Sequence, residues 1–192
     1  MSYYEEVMKQ KEEYWKKKYK HGLTIGRYQP LHTGHLALIN KMVRRCEKAT
    51  VVLGSLNMER NERNPFLPAE RYEMLYDFYG EDINIIGIGD IGNLEAWPQH
   101  VLTTIGEKVD IFYAGSEKDA YPFNKISGLK IKILDRTKIG TPDLPYKVYS
   151  GTEIREFLKK ENPEWRLHTP NWNLVEKYWK KYQEHLSILS KN

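Results

Sequence analysis

Short apolar runs alternate with segments of helical periodicity along most of this 192-residue chain. Five such runs predict strands, at residues 22–28, 49–54, 83–88, 110–114 and 129–134. Between them apolar residues recur at the three- and four-residue spacing of a single helix face, as in residues 36–46. Strands that alternate with helices are typical of a parallel sheet. We therefore predict a Rossmann-like α/β fold, with helices on both faces of the sheet and a helical C-terminal end.

Proline and glycine residues at particular positions predict where several helices begin and end. Pro68 stands where a helix commonly starts, and Gly80 stands where one commonly stops. Further helices are expected at residues 97–105, from Ser150 onward, and at residues 171–188. Ligands of open α/β sheets bind at the carboxyl ends of the strands, so functional residues are expected in the loops that follow them.

The first twenty residues differ in character from the rest of the chain. Residues 2–20 are rich in charge and contain neither Gly nor Pro, which favours a helical extension. We predict two parts, an N-terminal helical extension at 1–20 and a single α/β domain at 21–192. The extension is interpreted as a solvated packing helix or as a self-association element, and a homo-oligomer is expected.

Composition and charge exclude several classes of protein. The 30 basic and 26 acidic residues give a net charge of only +4, too mild to indicate a nucleic-acid binder. The single cysteine, Cys46, excludes an internal disulfide and an all-cysteine metal site. No apolar run reaches the roughly 18 residues of a membrane span, and no signal peptide is recognisable. We expect a cytoplasmic protein without a membrane partner.

The segment from Gly26 to His35 follows the first predicted strand and precedes a helix. Its sequence is Gly-Arg-Tyr-Gln-Pro-Leu-His-Thr-Gly-His. Helix N-termini present unpaired N–H groups and a partial positive charge, which attract phosphate. His32 and His35 can each donate a hydrogen bond to a phosphoryl oxygen, and Gly34 permits close approach of the backbone. The alternatives are a pair of polar helix caps or a metal site, but no acidic or cysteine cluster lies beside the histidines.

A second candidate phosphate site opens the helix that begins near Ser150. Ser150 and Glu153 have the spacing of a capping box, which is a purely structural explanation for both. Thr152 and Arg155 are not explained in this way. A hydroxyl and a guanidinium at a helix N-terminus suit the outer phosphates of a triphosphate, and Arg27 of the first motif can add a bidentate contact.

These two motifs together resemble those of the nucleotidylyltransferase superfamily. More narrowly, the chain is similar to the archaeal-type nicotinamide-nucleotide adenylyltransferases and their bacterial relatives. Four stretches carry the resemblance: residues 26–35, residues 63–71, Asn93 with Trp97, and residues 149–155. They lie within residues 22–160. The first and last stretches are specific for the superfamily, and the middle two favour the nicotinamide-nucleotide branch.

The resemblance implies a reaction in which nicotinamide mononucleotide and ATP give NAD and pyrophosphate, with Mg²⁺ as cofactor. The phosphate of the mononucleotide attacks the α-phosphorus of ATP directly, without a covalent intermediate on the enzyme. The implied catalytic residues are His32, His35 and Arg155. The residues implied to bind ATP are Gly26, Arg27, Gln29, Gly34, Arg63, Gly115, Ser150 and Thr152. Trp97 is implied to stack on the nicotinamide ring and Asn93 to contact its polar end; no residue is assigned to a metal.

Several questions stay open at the level of the sequence. Arg60 lies close to Arg63, so either arginine could reach the triphosphate. The acceptor could be nicotinate mononucleotide, phosphopantetheine or a polyol phosphate, and a non-catalytic nucleotide sensor is a further alternative. Residues 87–92 spell a dinucleotide-binding glycine pattern, but they follow the third strand and do not lead directly into a helix.

Overall fold

The computed structural model describes residues 16–134 and 147–190, and within them the chain forms one five-stranded sheet. Its strands are β1 (Tyr19–Gly26), β2 (Cys46–Leu53), β3 (Asn84–Gly87), β4 (Ile111–Ala114) and β5 (Lys130–Ile133). Their order is β3-β2-β1-β4-β5, and every neighbouring pair is parallel. The strand order reverses beside β1, so the loops after β1 and β4 meet at the carboxyl edge of the sheet.

Helices connect the strands and complete the C-terminal end. The α-helices are α1 (Thr33–Arg45), α2 (Pro68–Tyr79), α3 (Trp97–Ile105), α4 (Glu117–Ala120), α5 (Gly151–Lys159) and α6 (Trp172–Leu189). Short 3₁₀ segments lie at Gly80–Asp82, Tyr121–Lys125 and Pro163–His168. Among the described residues, no helix combines the length and apolar character that a membrane crossing requires.

Two hydrophobic cores lie on opposite faces of the sheet, as expected for helices on both sides. Val51 and Val52 are adjacent on β2 and fully buried, yet they belong to different cores, because neighbouring side chains of a strand point to opposite faces. The first core packs residues of α1, α2, α5 and α6 against the sheet. The second packs α3 and the segment Tyr121–Lys125. The predicted fold class is therefore confirmed.

The predicted helix boundaries at Pro68, Gly80 and Ser150 are also confirmed. Pro68 opens α2, and Gly80 is its C-terminal cap. Ser150 caps α5: its hydroxyl accepts from the N–H of Glu153, and the Glu153 carboxylate accepts from the N–H of Ser150 at 2.7 Å. This reciprocal pair is the predicted capping box, and it leaves Thr152 and Arg155 to be explained separately.

Two boundaries near the N-terminus differ from the sequence prediction. Cys46 does not end the helix face of α1; it begins β2, where it pairs in register with Tyr19 and is buried. Apolar spacing cannot distinguish the two positions, because a buried strand residue is apolar as well. β1 begins at Tyr19, so residues 19–20 of the predicted helical extension belong to the sheet. Residues 1–15 of that extension lie outside the described ranges.

Candidate active site

Two histidines meet at the start of α1, immediately beyond the carboxyl end of β1. His32 is the N-cap of α1, and its Nδ1 accepts a hydrogen bond of 3.1 Å from the N–H of Gly34. In the neutral ring the proton therefore lies on Nε2, which makes that atom a donor. The rings of His32 and His35 lie 3.7 Å apart between centroids. The two imidazoles thus form one donor cluster beside a helix N-terminus.

Gly34 is needed for this arrangement because of its contact with His32. A Cβ atom at position 34 would lie 3.0 Å from Cε1 and 3.1 Å from Nδ1 of the His32 ring. It would also lie 3.6 Å from the carbonyl oxygen of Tyr149, in the segment that leads into α5. The absence of a side chain therefore lets the first motif pack against both its own histidine and the second motif.

Three arginines, Arg27, Arg63 and Arg155, lie close enough together near these motifs for their charges to interact. Burial, together with the charge of Arg63, lowers the pKa of Arg27. Burial, followed by the charges of Arg27 and Arg63, lowers the pKa of Arg155. Within residues 16–134 and 147–190, none of the three forms an ion pair; the side chains of Arg27 and Arg155 donate to neutral oxygens of Asn64, Gln29 and Thr152. The carboxylates of Asp90, Glu62 and Glu156 counter the lowering only in part. The remaining excess of positive charge favours a polyanionic ligand.

A cleft of about 400 Å³ lies between the loop at residues 61–63 and the first turns of α5. Arg63, Thr152 and Arg155 line it, as the triphosphate prediction requires. Arg155 is 7% exposed and donates to the Thr152 hydroxyl at 3.1 Å. Glu62 and Glu156 also line the cleft and share Lys159 as their ion-pair partner, which offsets one of their two negative charges. The histidines are not among the lining residues; their motif approaches the start of α5 through Gly34, next to the carbonyl oxygen of Tyr149.

The structure distinguishes the two candidate loop arginines. Arg60 pairs with Glu70 at 2.5 Å, and the two side chains are only 11% and 9% exposed. Glu70 also accepts from the N–H of Leu67 at 2.8 Å, so this pair anchors the loop to α2. Arg63 is exposed and lines the cleft. Of the two, Arg63 is therefore the arginine that is open to a ligand of the cleft, whereas Arg60 is held by Glu70.

Arg71 is a functional-site residue whose role the sequence did not reveal. It is 1% exposed and donates to the carbonyl oxygens of Arg27, Gly54 and Ser55 at 2.9, 2.8 and 3.2 Å. Burial, and then the charge of Arg27, lowers its pKa to about 10. Arg71 thus stays charged at neutral pH and holds the chain where it leaves β1 and β2. The only sequence signal was its place beside Glu70 in the second stretch of the resemblance.

Two of the predicted ATP-binding residues are already engaged by protein groups. The Gln29 amide is buried and bonds to the backbone of Phe66, so its side chain faces the protein. The Ser150 hydroxyl belongs to the capping box, which leaves the amides around it as the predicted phosphate donors. Gly26 ends β1 and lies under the ring of Tyr28, where a Cβ would be 2.9 Å from Cζ. Gly115 follows β4 at the same edge of the sheet.

The predicted nicotinamide site lies on the β3 side of this edge. Asn93 accepts through Oδ1 from the N–H groups of Glu95 and Ala96, both at 3.0 Å, and so shapes the turn into α3. Trp97 is the first residue of α3 and is half-buried against the second core. Two glycines of the discounted dinucleotide pattern, Gly87 and Gly89, have packing roles here. For example, a Cβ at Gly87 would meet Leu56 at 2.5 Å.

Comparison with known proteins identifies the family to which this fold belongs. The cytidylyltransferase-like family matches residues 23–157, which include both phosphate motifs, the arginine loop and the turn before α3. The matched region covers more than two thirds of the chain. The chain therefore belongs to the cytidylyltransferase-like family and is a nucleotidyltransferase.

Individual relatives narrow this assignment. The nicotinamide-nucleotide adenylyltransferase of Caldivirga maquilingensis is 31% identical over 159 residues, which are 78% of this chain and 83% of the relative. The nicotinamide/nicotinic acid mononucleotide adenylyltransferase of Acinetobacter baylyi is 40% identical over 81 residues, which are 40% of this chain and 43% of that relative. Within its family the chain belongs to the nicotinamide-nucleotide adenylyltransferases.

A solved structure supports the fold, and only the fold. The bifunctional NMN adenylyltransferase/ADP ribose pyrophosphatase from Francisella tularensis aligns over 75% of this chain with a TM-score of 0.62 and 20% identity. This chain spans only 43% of that protein's length. The likeness therefore concerns the architecture of the shared domain.

Proposed function

We propose that this enzyme joins nicotinamide mononucleotide to the adenylyl group of ATP, giving NAD and pyrophosphate. The observation that carries the proposal is the cluster of Arg27, Arg63 and Arg155 at the carboxyl edge of the sheet, unpaired with carboxylates in the described ranges. Two helix N-termini, those of α1 and α5, open at the same place. A triphosphate supplies the negative charge that this arrangement lacks.

The chemistry is a direct phosphoryl substitution. A phosphate oxygen of the mononucleotide forms a bond to the α-phosphorus of ATP, and the bond from that phosphorus to the bridging oxygen of the β-phosphate breaks. Pyrophosphate leaves with the bonding electrons, so no oxidant and no enzyme nucleophile are needed. Catalysis then consists of positioning and of stabilising the charge that develops on the phosphoryl oxygens.

The arginines and the histidines are proposed to bind different phosphates of ATP, according to where each side chain lies. Arg63 and Arg155 hold the β- and γ-phosphates in the cleft, with the hydroxyl of Thr152 beside them. His32 and His35 donate to the α-phosphate from the start of α1, and His32 does so through Nε2. Donors fixed in advance cost little reorganisation during the reaction, which is why they lower its barrier.

We propose that Mg²⁺ enters as part of the substrate, bound to the phosphates of ATP. In the described ranges no group of three or more His, Cys, Asp or Glu side chains is suited to hold a metal ion. The two carboxylates that line the cleft, those of Glu62 and Glu156, both pair with Lys159. Arg63, Arg155 and the Thr152 hydroxyl complete its lining as groups that bind phosphate. Mg²⁺ commonly binds proteins mainly through such substrate phosphates.

Trp97 and Asn93 are proposed to receive the nicotinamide end. A half-buried indole provides a platform for a flat, cationic ring. The second candidate is the same reaction with nicotinate mononucleotide as acceptor. It is favoured by the likeness to the Acinetobacter baylyi enzyme, whose name includes both mononucleotides.

The test is pyrophosphate release with MgATP and each acceptor in turn, with the dinucleotide identified by mass. We expect turnover with nicotinamide mononucleotide, and expect Trp97→Ala to raise the KM for that acceptor more than the KM for ATP. Turnover confined to phosphopantetheine or to a polyol phosphate would contradict the proposal. ATP binding without turnover on any acceptor would favour a nucleotide sensor instead.

Cellular location is proposed from one buried thiol, and assembly is proposed from one exposed apolar surface. The buried, free thiol of Cys46 is consistent with a cytoplasmic enzyme. The end of α6 exposes Leu186, Ile188 and Leu189, an apolar surface that supports a homo-oligomer. Light scattering of the purified protein tests the second point directly.

A further inference from the structure

Gln29 makes an unusual pair of contacts with a distant part of the chain. Its side-chain Nε2 donates to the carbonyl oxygen of Phe66 at 2.8 Å, and its Oε1 accepts from the N–H of the same residue at 3.0 Å. Gln29 is 3% exposed and Phe66 is 1% exposed. Both polar groups of a buried backbone residue are therefore satisfied by one side chain.

Phe66 ends the short loop that carries Arg63 into the cleft. Asn61 and Asn64 exchange backbone hydrogen bonds of 3.2 and 3.0 Å, which close a tight turn around Arg63. The Asn61 side chain strengthens this turn by accepting from the N–H groups of Arg63 and Asn64, both at 2.9 Å. Because the turn is held internally, fixing its end at Phe66 fixes the place of Arg63 as well.

The backbone of Gln29 contacts the opposite wall of the cleft. Its carbonyl oxygen accepts from Nη1 of Arg155 at 2.7 Å. A Cβ at Gly151, the first residue of α5, would lie 3.1 Å from the same oxygen. Gln29 thus contacts Arg155 of one wall through its backbone. Through its side chain it contacts Phe66, at the end of the loop that forms the other wall.

We propose that Gln29 is a positioning residue that sets the separation between Arg63 and Arg155, and thereby the fit of the cleft to the outer phosphates of ATP. This inference deepens the proposed function and rests on it for the identity of the triphosphate. The Gln29 amide is 3% exposed and is directed at Phe66 through both its nitrogen and its oxygen, so we assign it to the support of the loop. The predicted role of Gln29 as an ATP ligand is replaced by a role exerted through the loop.

Gln29→Met tests the proposal, because methionine has a similar length but cannot form either bond to Phe66. The control is Thr50→Val, which removes a buried hydroxyl bonded to His21 Nε2 at 2.7 Å near the amino end of the sheet. Affinity for Mg²⁺-pyrophosphate is measured by calorimetry, steady-state KM values are measured for both substrates, and folding is checked by thermal unfolding. If Gln29→Met does not fold, the shorter amide of Gln29→Asn takes its place.

We expect the Gln29 variant to bind pyrophosphate, and to saturate with ATP, on the order of tenfold more weakly, because small displacements of positioning groups have large effects. Its KM for the mononucleotide should stay within about twofold of the wild-type value. Thr50→Val should lower the melting temperature but should not weaken the binding of pyrophosphate and ATP relative to that of the mononucleotide. Equal weakening toward both substrates, an unchanged pyrophosphate affinity, or the same selective weakening in Thr50→Val would overturn the proposal. Pyrophosphate binding needs no turnover, so the comparison holds even if the proposed reaction fails.

Discussion

Replacing Arg60 and Arg63 separately by Gln distinguishes structural charge from functional charge in one loop. Arg60 pairs with Glu70, and its removal leaves a carboxylate that is 9% exposed. Loss of one partner of a buried pair typically costs about 3–5 kcal/mol. The remaining bond from the Leu67 N–H to Glu70 favours the lower end of that range. For a chain of this size we expect the melting temperature to fall by roughly 10 °C.

Arg63→Gln should have the opposite profile. The Arg63 side chain is exposed, and its charge lowers the pKa values of Arg27 and Arg155. Its removal relieves repulsion within the cluster, so the free energy of unfolding should stay within about 0.5 kcal/mol of the wild-type value. A charge-assisted hydrogen bond to phosphate contributes about 1.5–3 kcal/mol. The Kd for MgATP should therefore rise roughly 10- to 150-fold.

The two variants are compared by guanidinium unfolding and by calorimetric titration with MgATP in the absence of acceptor. The expected ranking is reversed between the two measurements: Arg60→Gln loses more stability, and Arg63→Gln loses more ATP affinity. An Arg63 variant that binds MgATP as tightly as the wild type would refute the assignment of the cleft to the triphosphate. An Arg60 variant of undiminished stability would refute its structural role.

Three further predictions follow from other parts of the site and fold. Gly34→Ala should displace the His32 ring and lower kcat by about tenfold or more; steady-state kinetics that leave kcat within twofold would count against this. Burial lowers the pKa of His21 below 6.5, so the unfolded chain takes up a proton first, and the free energy of unfolding should decrease as pH falls through 6.5. His21→Gln should flatten that decrease in urea titrations at several pH values. Chelation by EDTA should abolish turnover but leave the melting temperature of the ligand-free protein unchanged, since the metal is proposed to arrive with ATP.

Local signals were sufficient for much of the fold. Trp97–Ile105 has the predicted bounds, because Pro98 marks its first turn and Gly106 ends it in a left-handed conformation. The capping box at Ser150 likewise depends on two residues three positions apart. Such features are encoded within a few residues, so a single sequence suffices to predict them.

The contacts that shape the candidate site join residues that are far apart in the sequence. Gln29 bonds to Phe66 37 residues away, and Arg155 bonds to Gln29 across 126 residues. Arg71 looks like an ordinary charged helix residue in the sequence, yet it is fully buried under the carboxyl ends of β1 and β2. No local pattern encodes these partners. The motifs predict which residues face phosphate, and the structure was needed to learn what holds those residues in place.

The central claim is that the histidine pair and the arginine cluster together transfer an adenylyl group to a mononucleotide. The most direct measurement is formation of NAD from nicotinamide mononucleotide and MgATP, followed by mass, for the wild type and for His35→Ala. We predict NAD formation by the wild type and a loss on the order of 100-fold or more in kcat for the variant, with little change in ATP affinity. Undiminished NAD formation by His35→Ala, or no NAD from the wild type, would contradict the account.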